Sequence, residues 1–546
     1  MKTTRRFFNL LAKDKQDLVY LYVYAGLQGL INLSLPIGIQ AIMRLVLAGR
    51  LSASWTILTL IVTVGVIVTG LFQMLQLYIV EILQRKLFVR SAFEFAYRIP
   101  HFRLKSLGSS YAPEIVHRFF DVTGVQKNLN KVLLDFSSST LQIIFGLILL
   151  SLYHPVFIAF GFALLLTLFL IIFLSSKRGL ATSIQESDSK YKMAYWLTEL
   201  ARAMPTFKLS GSDRMALKQT DEIAQEYLNN RKKHFRVVVT QWVSILSLKT
   251  LVTAGLLIIG AVLLINNSIT IGQFVASEIV IILVLNSSEK LISSLESIYD
   301  LLTSIEKLGK VTDLALDKER TEGVELPRTE ALRLDVHDLS IKGVLDENPV
   351  INNLSFSLEP GQSLCVSGPS GSGKSTLLKT LSSMWDNYDG NIKVNDIPLS
   401  SIDLQAYRNA TSVILNDQEI FYGSLLDNVG LQHPELTKED TIRAIELVGL
   451  GPLVERLPNG YNEVLKNAER MLSRTERIRL ITARAIANKP GLIIAEDLYS
   501  DLDEHVADEL AQILVHEVPR ASLVITSNHP RFKTKCSQNL NLSKHA

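Results

Sequence analysis

The chain has 546 residues, too many for a single core, and 48% of them are hydrophobic. The net charge of +3 is small and gives no ground for a nucleic-acid partner, so none is expected. Its two cysteines, Cys365 and Cys536, stand at no metal-like spacing and read as reduced cytosolic thiols, Cys365 as a small core residue.

The N-terminus carries Lys2, Arg5 and Arg6 and then Phe7-Phe8-Asn9-Leu10-Leu11. The apolar run is short for a secretory signal, no small-residue cleavage site follows, and Lys13 and Lys15 interrupt it. Residues 1–17 therefore read as a cytosolic amphipathic lead-in. Six apolar stretches follow, near 18–46, 54–83, 134–153, 155–176, 243–266 and 269–292, each at or above the span of about 20 residues that crosses a bilayer. Pro36 is expected to kink the first of them.

The third and fourth stretches are separated by Tyr153-His154-Pro155, and the fifth and sixth by Asn266-Asn267-Ser268. Those short loops hold no Lys or Arg, whereas segments 84–133 and 177–242 are rich in both. Positive charge stays on the cytosolic side, so both termini and both long loops are expected there. The long loops read as helical and extend the spans into the cytosol at about 1.5 Å per residue. Breaks at Gly108-Ser109-Ser110 and Ser210-Gly211-Ser212 suggest small docking helices. Glu81 and Lys249 lie near predicted cytosolic ends and read as snorkelling charges. Glu278, beside Gln273, either lines a cavity or marks a misplaced boundary. The membrane region thus spans 18–310, and a charged connector with a linker at 311–330 leads to a polar domain at 331–546.

That domain contains the run Gly368-Pro369-Ser370-Gly371-Ser372-Gly373-Lys374-Ser375-Thr376. An apolar, strand-like stretch (Ser363-Leu364-Cys365-Val366) precedes it, and a helix-like one (Leu377-Leu378-Lys379-Thr380-Leu381) follows. Strand, glycine loop and helix make a phosphate cradle. Glycines let successive N–H groups curl around phosphate oxygens, and the helix N-terminus adds partial positive charge. Lys374 is placed to reach the β- and γ-phosphates and Ser375 to hold Mg²⁺, so ATP and Mg²⁺ are the expected cofactors.

A six-span membrane region followed by a phosphate-binding domain resembles an ATP-binding cassette (ABC) half-exporter, here with a degenerate nucleotide-binding domain. Further residues support the resemblance. Leu472-Ser473-Arg474-Thr475-Glu476 occupies the place of the LSGGQ signature, and Arg479 and Ala483-Arg484-Ala485 follow. Leu492-Ile493-Ile494-Ala495 resembles the Walker B strand, and Ser500-Asp501-Leu502-Asp503 the D-loop. Phe421-Tyr422-Gly423-Ser424 and Asp427-Asn428-Val429 resemble the segment after the Q-loop. The implied architecture is an all-α six-span transmembrane domain with long cytosolic helices plus an α/β P-loop NTPase domain.

The resemblance also assigns roles, and several positions depart from the family. Counting back from Asp503, the family's Mg²⁺-binding Asp falls on Glu496 and its general-base Glu on Asp497, a transposed pair. The base is then one methylene short, about 1.5 Å. A misplacement of about 1 Å can cost on the order of 100-fold in rate. The family's Pro-Thr after that pair is Leu498-Tyr499. The Q-loop glutamine, which contacts Mg²⁺ and the attacking water, maps onto Asn416, with Gln418 two residues on. The switch histidine maps onto Ser527, with His529 nearby and not expected to replace it. No aromatic for adenine stands at Ile341-Lys342-Gly343. Ser473 survives in the signature to contact the γ-phosphate held by the opposite subunit, but Arg474 and Thr475 replace both glycines.

Lys374, Asp497, Glu496, Asn416 and Ser527 are thus the implied catalytic set, and Ser375, Glu496 and Asn416 the implied metal ligands. The resemblance implies a second half-transporter, either a second copy or a different chain, with both composite sites altered in either assembly. It implies the lipid bilayer as partner and a bacterial inner membrane, with the nucleotide domain in the cytosol. The 290–315 connector is similar to half-transporters of the secretion branch, which work with a membrane-fusion adaptor. No peptidase-like extension precedes the first span, so leader processing by this chain is not expected. A slow ATP-driven exporter, a nucleotide-binding but silent subunit serving a partner, and a decayed copy are the three roles that fit. The intact membrane pattern argues against the last.

Overall fold

The computed structural model describes residues 2–47, 53–107, 112–317, 323–327, 330–343, 349–466, 468–518 and 521–542. They form two compact units, Met1–His101 with Ser109–Leu314 and Phe102–Gly108 with Ala315–Ala546.

The first unit is helical, and six of its helical segments are long and apolar enough to cross a membrane. The first is broken at Leu33, between helices Lys15–Asn32 and Ser34–Leu47. Pro36 explains the position of the break. Its ring nitrogen has no hydrogen to give the carbonyl four residues back, at Asn32, so the helix restarts there. The other five are Ala53–His101, Ile115–Tyr153, Val156–Arg202, Arg214–Ile265 and Ile271–Thr312. Arg214–Ile265 runs unbroken for 52 residues. That is about 78 Å of helix, against a hydrocarbon layer about 30 Å thick. Every predicted span is present, and most are the apolar part of a longer helix.

Leu150, Phe157, Val252, Leu256, Val280 and Val284 pack inside the bundle. Leu60, Ile67, Phe162, Leu174, Leu251 and Ile258 stay exposed on the outside, a band suited to hydrocarbon rather than water. Polar side chains also join the helices. Gln76 donates to Gln28 at 2.6 Å, and Asn32 to Gln142 at 2.9 Å. Lys249 does not simply reach outward; it meets Glu289 on the last helix at 2.5 Å. That helix begins at Ile271, two residues after the predicted boundary, so Glu278 remains well inside it and half-buried.

The second unit contains nine described strands: β1 (Leu334–Lys342), β2 (Pro349–Leu358), β3 (Ser363–Ser367), β4 (Tyr388–Val394), β5 (Ile397–Pro398), β6 (Thr411–Ile414), β7 (Leu492–Glu496), β8 (Ser522–Thr526) and β9 (Gln538–Asn541). One sheet is antiparallel in the order β2-β1-β4-β5. The other is parallel in the order β6-β7-β8-β3-β9. A parallel sheet is covered on both faces, which is why Leu492–Ala495 and Leu523–Ile525 are uninterrupted apolar runs, buried throughout. Ligands of such sheets bind beyond the carboxyl ends of the strands. Here those ends are Ser367, Ile414, Glu496 and Thr526.

The second unit also holds Phe102–Gly108, from the first long loop. Arg103 donates its N–H to Ala315 at 3.0 Å and pairs with Asp386, while Lys105 reaches Asn387 at 3.1 Å. Leu104 packs on the cluster that contains Trp385. The predicted break Gly108-Ser109-Ser110 lies outside the described residues, but a helical turn, Leu104–Leu107, stands directly before it. The break at Ser210-Gly211-Ser212 is a turn after the short helix Met204–Leu209, with Gly211 at φ +65°.

Candidate nucleotide site

β3 ends at Ser367, and the chain turns through Gly368–Gly373 into the helix Lys374–Leu381. Gly371 and Gly373 have φ of +83° and +86°, values that favour glycine. A Cβ on Gly373 would come within 2.7 Å of Ile351. The Lys374 ammonium folds back over the loop and donates to the carbonyls of Gly368 and Pro369, both at 2.8 Å. Asn528 clamps the loop from the other side: its carbonyl accepts from Gly368 N–H at 3.0 Å, and its amide donates to Gly368 O at 2.9 Å. The buried Ser372 hydroxyl has no partner among the described residues. An orphan donor inside a loop with this backbone fits a bound anion.

Three further predicted residues meet beyond β7. Glu496 accepts from the Ser375 hydroxyl at 2.8 Å and from the Asn416 N–H at 3.1 Å. The carboxylate and hydroxyl are the oxygen donors that Mg²⁺ takes, so these residues fit the ion. Asn416 approaches Glu496 through its backbone. Gln418, the alternative to Asn416, instead donates to Val413 O at 3.0 Å.

Asp497 is held on every side. Its Oδ1 accepts from the N–H groups of Tyr499 at 3.0 Å and Ser500 at 3.1 Å. Its Oδ2 accepts from the hydroxyls of Ser500 and Ser527. Ser527 is buried and linked to β3 through its N–H on Val366 O at 3.0 Å. His529 caps the helix Pro530–Lys535, its Nδ1 accepting from Arg531 N–H at 3.3 Å. The ring is thus employed in the local turn, and Ser527 takes the position facing Asp497.

Residues 351–498 match the ABC transporter family, and residues 18–288 match the ABC transporter transmembrane region. The chain belongs to the ABC transporter family. Its membrane region followed by one nucleotide-binding domain is the layout of an exporter-type half-transporter, a multi-pass integral membrane protein. Over 454 residues it is 24% identical to the transport/processing ATP-binding protein ComA of Streptococcus pneumoniae, covering 81% of this chain and 62% of that one. The chain thus spans about three fifths of that relative's length. It is 24% identical over 284 residues to the colicin V secretion/processing protein CvaB of Escherichia coli, covering 50% and 39% of the two chains. A solved bacterial Atm1-family ABC exporter with ATP bound superimposes with a TM-score of 0.76 at 15% identity, covering 96% of this chain and 93% of that one. The fold is therefore that of an ABC exporter.

Ser473 caps the helix Arg474–Ala487: its hydroxyl accepts from Glu476 N–H at 3.2 Å, and Glu476 accepts from Ser473 N–H at 2.7 Å. Arg474 pairs with Asp501 of the D-loop at 2.7 Å. At the adenine position, Lys342 pairs with Asp389 at 3.0 Å.

Asn528, which sequence reasoning passed over, and Tyr499, which it noted only as a departure from the family, shape the site. Asn528 follows the switch position and carries no motif of its own. Tyr499 replaces a family threonine, and its ring is fully buried against Phe532, with the hydroxyl 3.1 Å from that of Thr482. Its anchored N–H then fixes Asp497. Tyr499→Ala is expected to cost about 3–5 kcal/mol, the range for large aromatic deletions. Calorimetry of the full chain in lipid would show this as a lowered nucleotide-domain transition.

Proposed function

We propose that this chain is one half of a dimeric, ATP-driven exporter that turns over slowly. The observation that carries the reading is the contrast around β7. Glu496 is joined to Ser375 and Asn416, whereas every oxygen of Asp497 is committed to neighbours of its own chain. The loop Gly368–Gly373 with Lys374, Ser375 and Thr376 grips the triphosphate. Ser375 and Glu496, with Asn416 beside them, would hold Mg²⁺, which supplies charge neutralisation at the phosphates when bound. Asp497 acts as general base, with Ser527 in the switch position. Asp497 accepts four hydrogen bonds, as many as a carboxylate has lone-pair sites, so the attacking water has to displace one of these donors before it reaches the base.

The partner half supplies the opposing signature, and this chain supplies Ser473 in return. Closure of the two nucleotide domains opens the cavity on the far side of the membrane, and hydrolysis resets it. The secretion named for CvaB supports export as the direction; a bacterial inner membrane as the location and a membrane-fusion adaptor as a further partner belong to the same reading. The second reading, a nucleotide-binding but silent subunit, draws on the same saturation of Asp497.

Phosphate release by the full-length protein in lipid separates the two. Wild type is expected to exceed the Lys374→Ala blank by a small but reproducible margin. Equal rates for the two proteins would overturn transport powered by this chain and leave the silent subunit.

A further inference from the structure

The side chain of Asn528 extends the pairing of two strands into the glycine loop. The parallel register of β3 with β8 ends at Val366 and Thr526, and Ser527 N–H adds a bond to Val366 O at 3.0 Å. Asn528 comes next, and its carboxamide offers the donor and acceptor of a peptide unit. It meets Gly368 with both, accepting from the N–H at 3.0 Å and donating to the O at 2.9 Å. Only this orientation of the amide satisfies both groups of Gly368.

Gly368 O has a second donor, the Lys374 ammonium at 2.8 Å. A carbonyl oxygen has two lone pairs, and both are in use here. The same ammonium donates to Pro369 O at 2.8 Å. To reach the β- and γ-phosphates it has to give up both carbonyls. Pro369 is exposed, so water can replace the bond lost there. Gly368 is buried, and a buried carbonyl left without a donor is costly.

The geometry points to Asn528 as a positioning residue that releases Lys374 to the triphosphate: it keeps Gly368 O bonded while the ammonium moves to phosphate. The inference rests on the reading of this loop as the nucleotide grip. Without Asn528, the free chain still satisfies Gly368 O through Lys374, but the bound chain leaves that oxygen orphaned. Gly368 N–H loses its acceptor in both states, so that loss cancels from the binding equilibrium. The penalty therefore falls on the bound state alone, and it exists only while Lys374 is present. It acts on binding, so its test does not depend on the rate of ATP turnover.

The test is a double-mutant cycle on nucleotide affinity, with the full-length protein in lipid nanodiscs and a fluorescent ATP analogue with Mg²⁺ as the probe. Asn528→Ala is expected to weaken binding by about tenfold, the effect of one buried carbonyl left without a donor. In the Lys374→Ala background the same change is expected to shift affinity by less than about twofold, because Gly368 O then keeps the same partners with and without nucleotide. Equal factors in the two backgrounds would make Asn528 a plain clamp on the loop and overturn the proposal, as would unchanged affinity in Asn528→Ala. Asn528→Asp serves where the alanine variant does not fold. It keeps an acceptor for Gly368 N–H but has no donor for Gly368 O, so it is expected to lose affinity as well, and full affinity in it overturns the proposal. Lys374→Ala alone tests the underlying reading: if it binds as wild type does, the loop is not the nucleotide site and this inference falls with it.

Discussion

Lys374→Ala is expected to weaken MgATP binding by about 100-fold, on the order of 3 kcal/mol, the size of a lost charge-assisted contact to phosphate. The ammonium now lies over the loop and donates to Gly368 O and Pro369 O. It is therefore already gathered toward the place where phosphate oxygens arrive, and little side-chain freedom remains to be lost on binding. Its removal leaves the N–H groups of the loop and the helix N-terminus, which give part of the attraction without the formal charge. Equilibrium binding of a fluorescent ATP analogue to the protein in nanodiscs measures the change. Loss of affinity with an unchanged thermal transition places the effect on the ligand rather than the fold. Unchanged affinity would remove the loop from the nucleotide site.

Asp497→Glu is expected to raise phosphate release by on the order of 100-fold, the reverse of the loss assigned to a base about 1 Å out of place. Two effects act in the same direction. The added methylene moves the carboxylate outward by about 1.5 Å. The longer side chain also fits poorly into the tight turn in which Asp497 accepts from Tyr499 and Ser500, because such local bonds suit the short Asp and Asn side chains. Freed of those donors, the carboxylate has lone pairs open to the attacking water. Single-turnover phosphate release at saturating MgATP reads the chemical step directly. Ser527→Ala removes one donor to Asp497 and is expected to give a smaller gain. No gain from Asp497→Glu would favour the silent subunit.

The degree to which sequence and structure agree differs by region. The six spans were legible because a bilayer imposes a length and an apolar composition on any helix that crosses it. Their true lengths were less so: Arg214–Ile265 continues for turns in which polar residues replace apolar ones, and hydropathy alone does not register that continuation. The kink was attributed to Pro36 and found at Leu33, since proline removes the bond to the turn before it. The glycine loop was legible in full, because each of its residues answers a local backbone requirement.

Local requirements are what a sequence by itself determines here: membrane spans, the strand–loop–helix around Lys374, and the presence of two carboxylates at 496 and 497. Tertiary structure alone decided which partners those groups meet. It turned Glu496 toward Ser375 and Asn416 while enclosing Asp497 between Ser500 and Ser527. The physical reason lies in the parallel sheet, whose order β6-β7-β8-β3-β9 differs from chain order. Residues far apart along the chain become neighbours at its strand ends, and no local pattern carries that information.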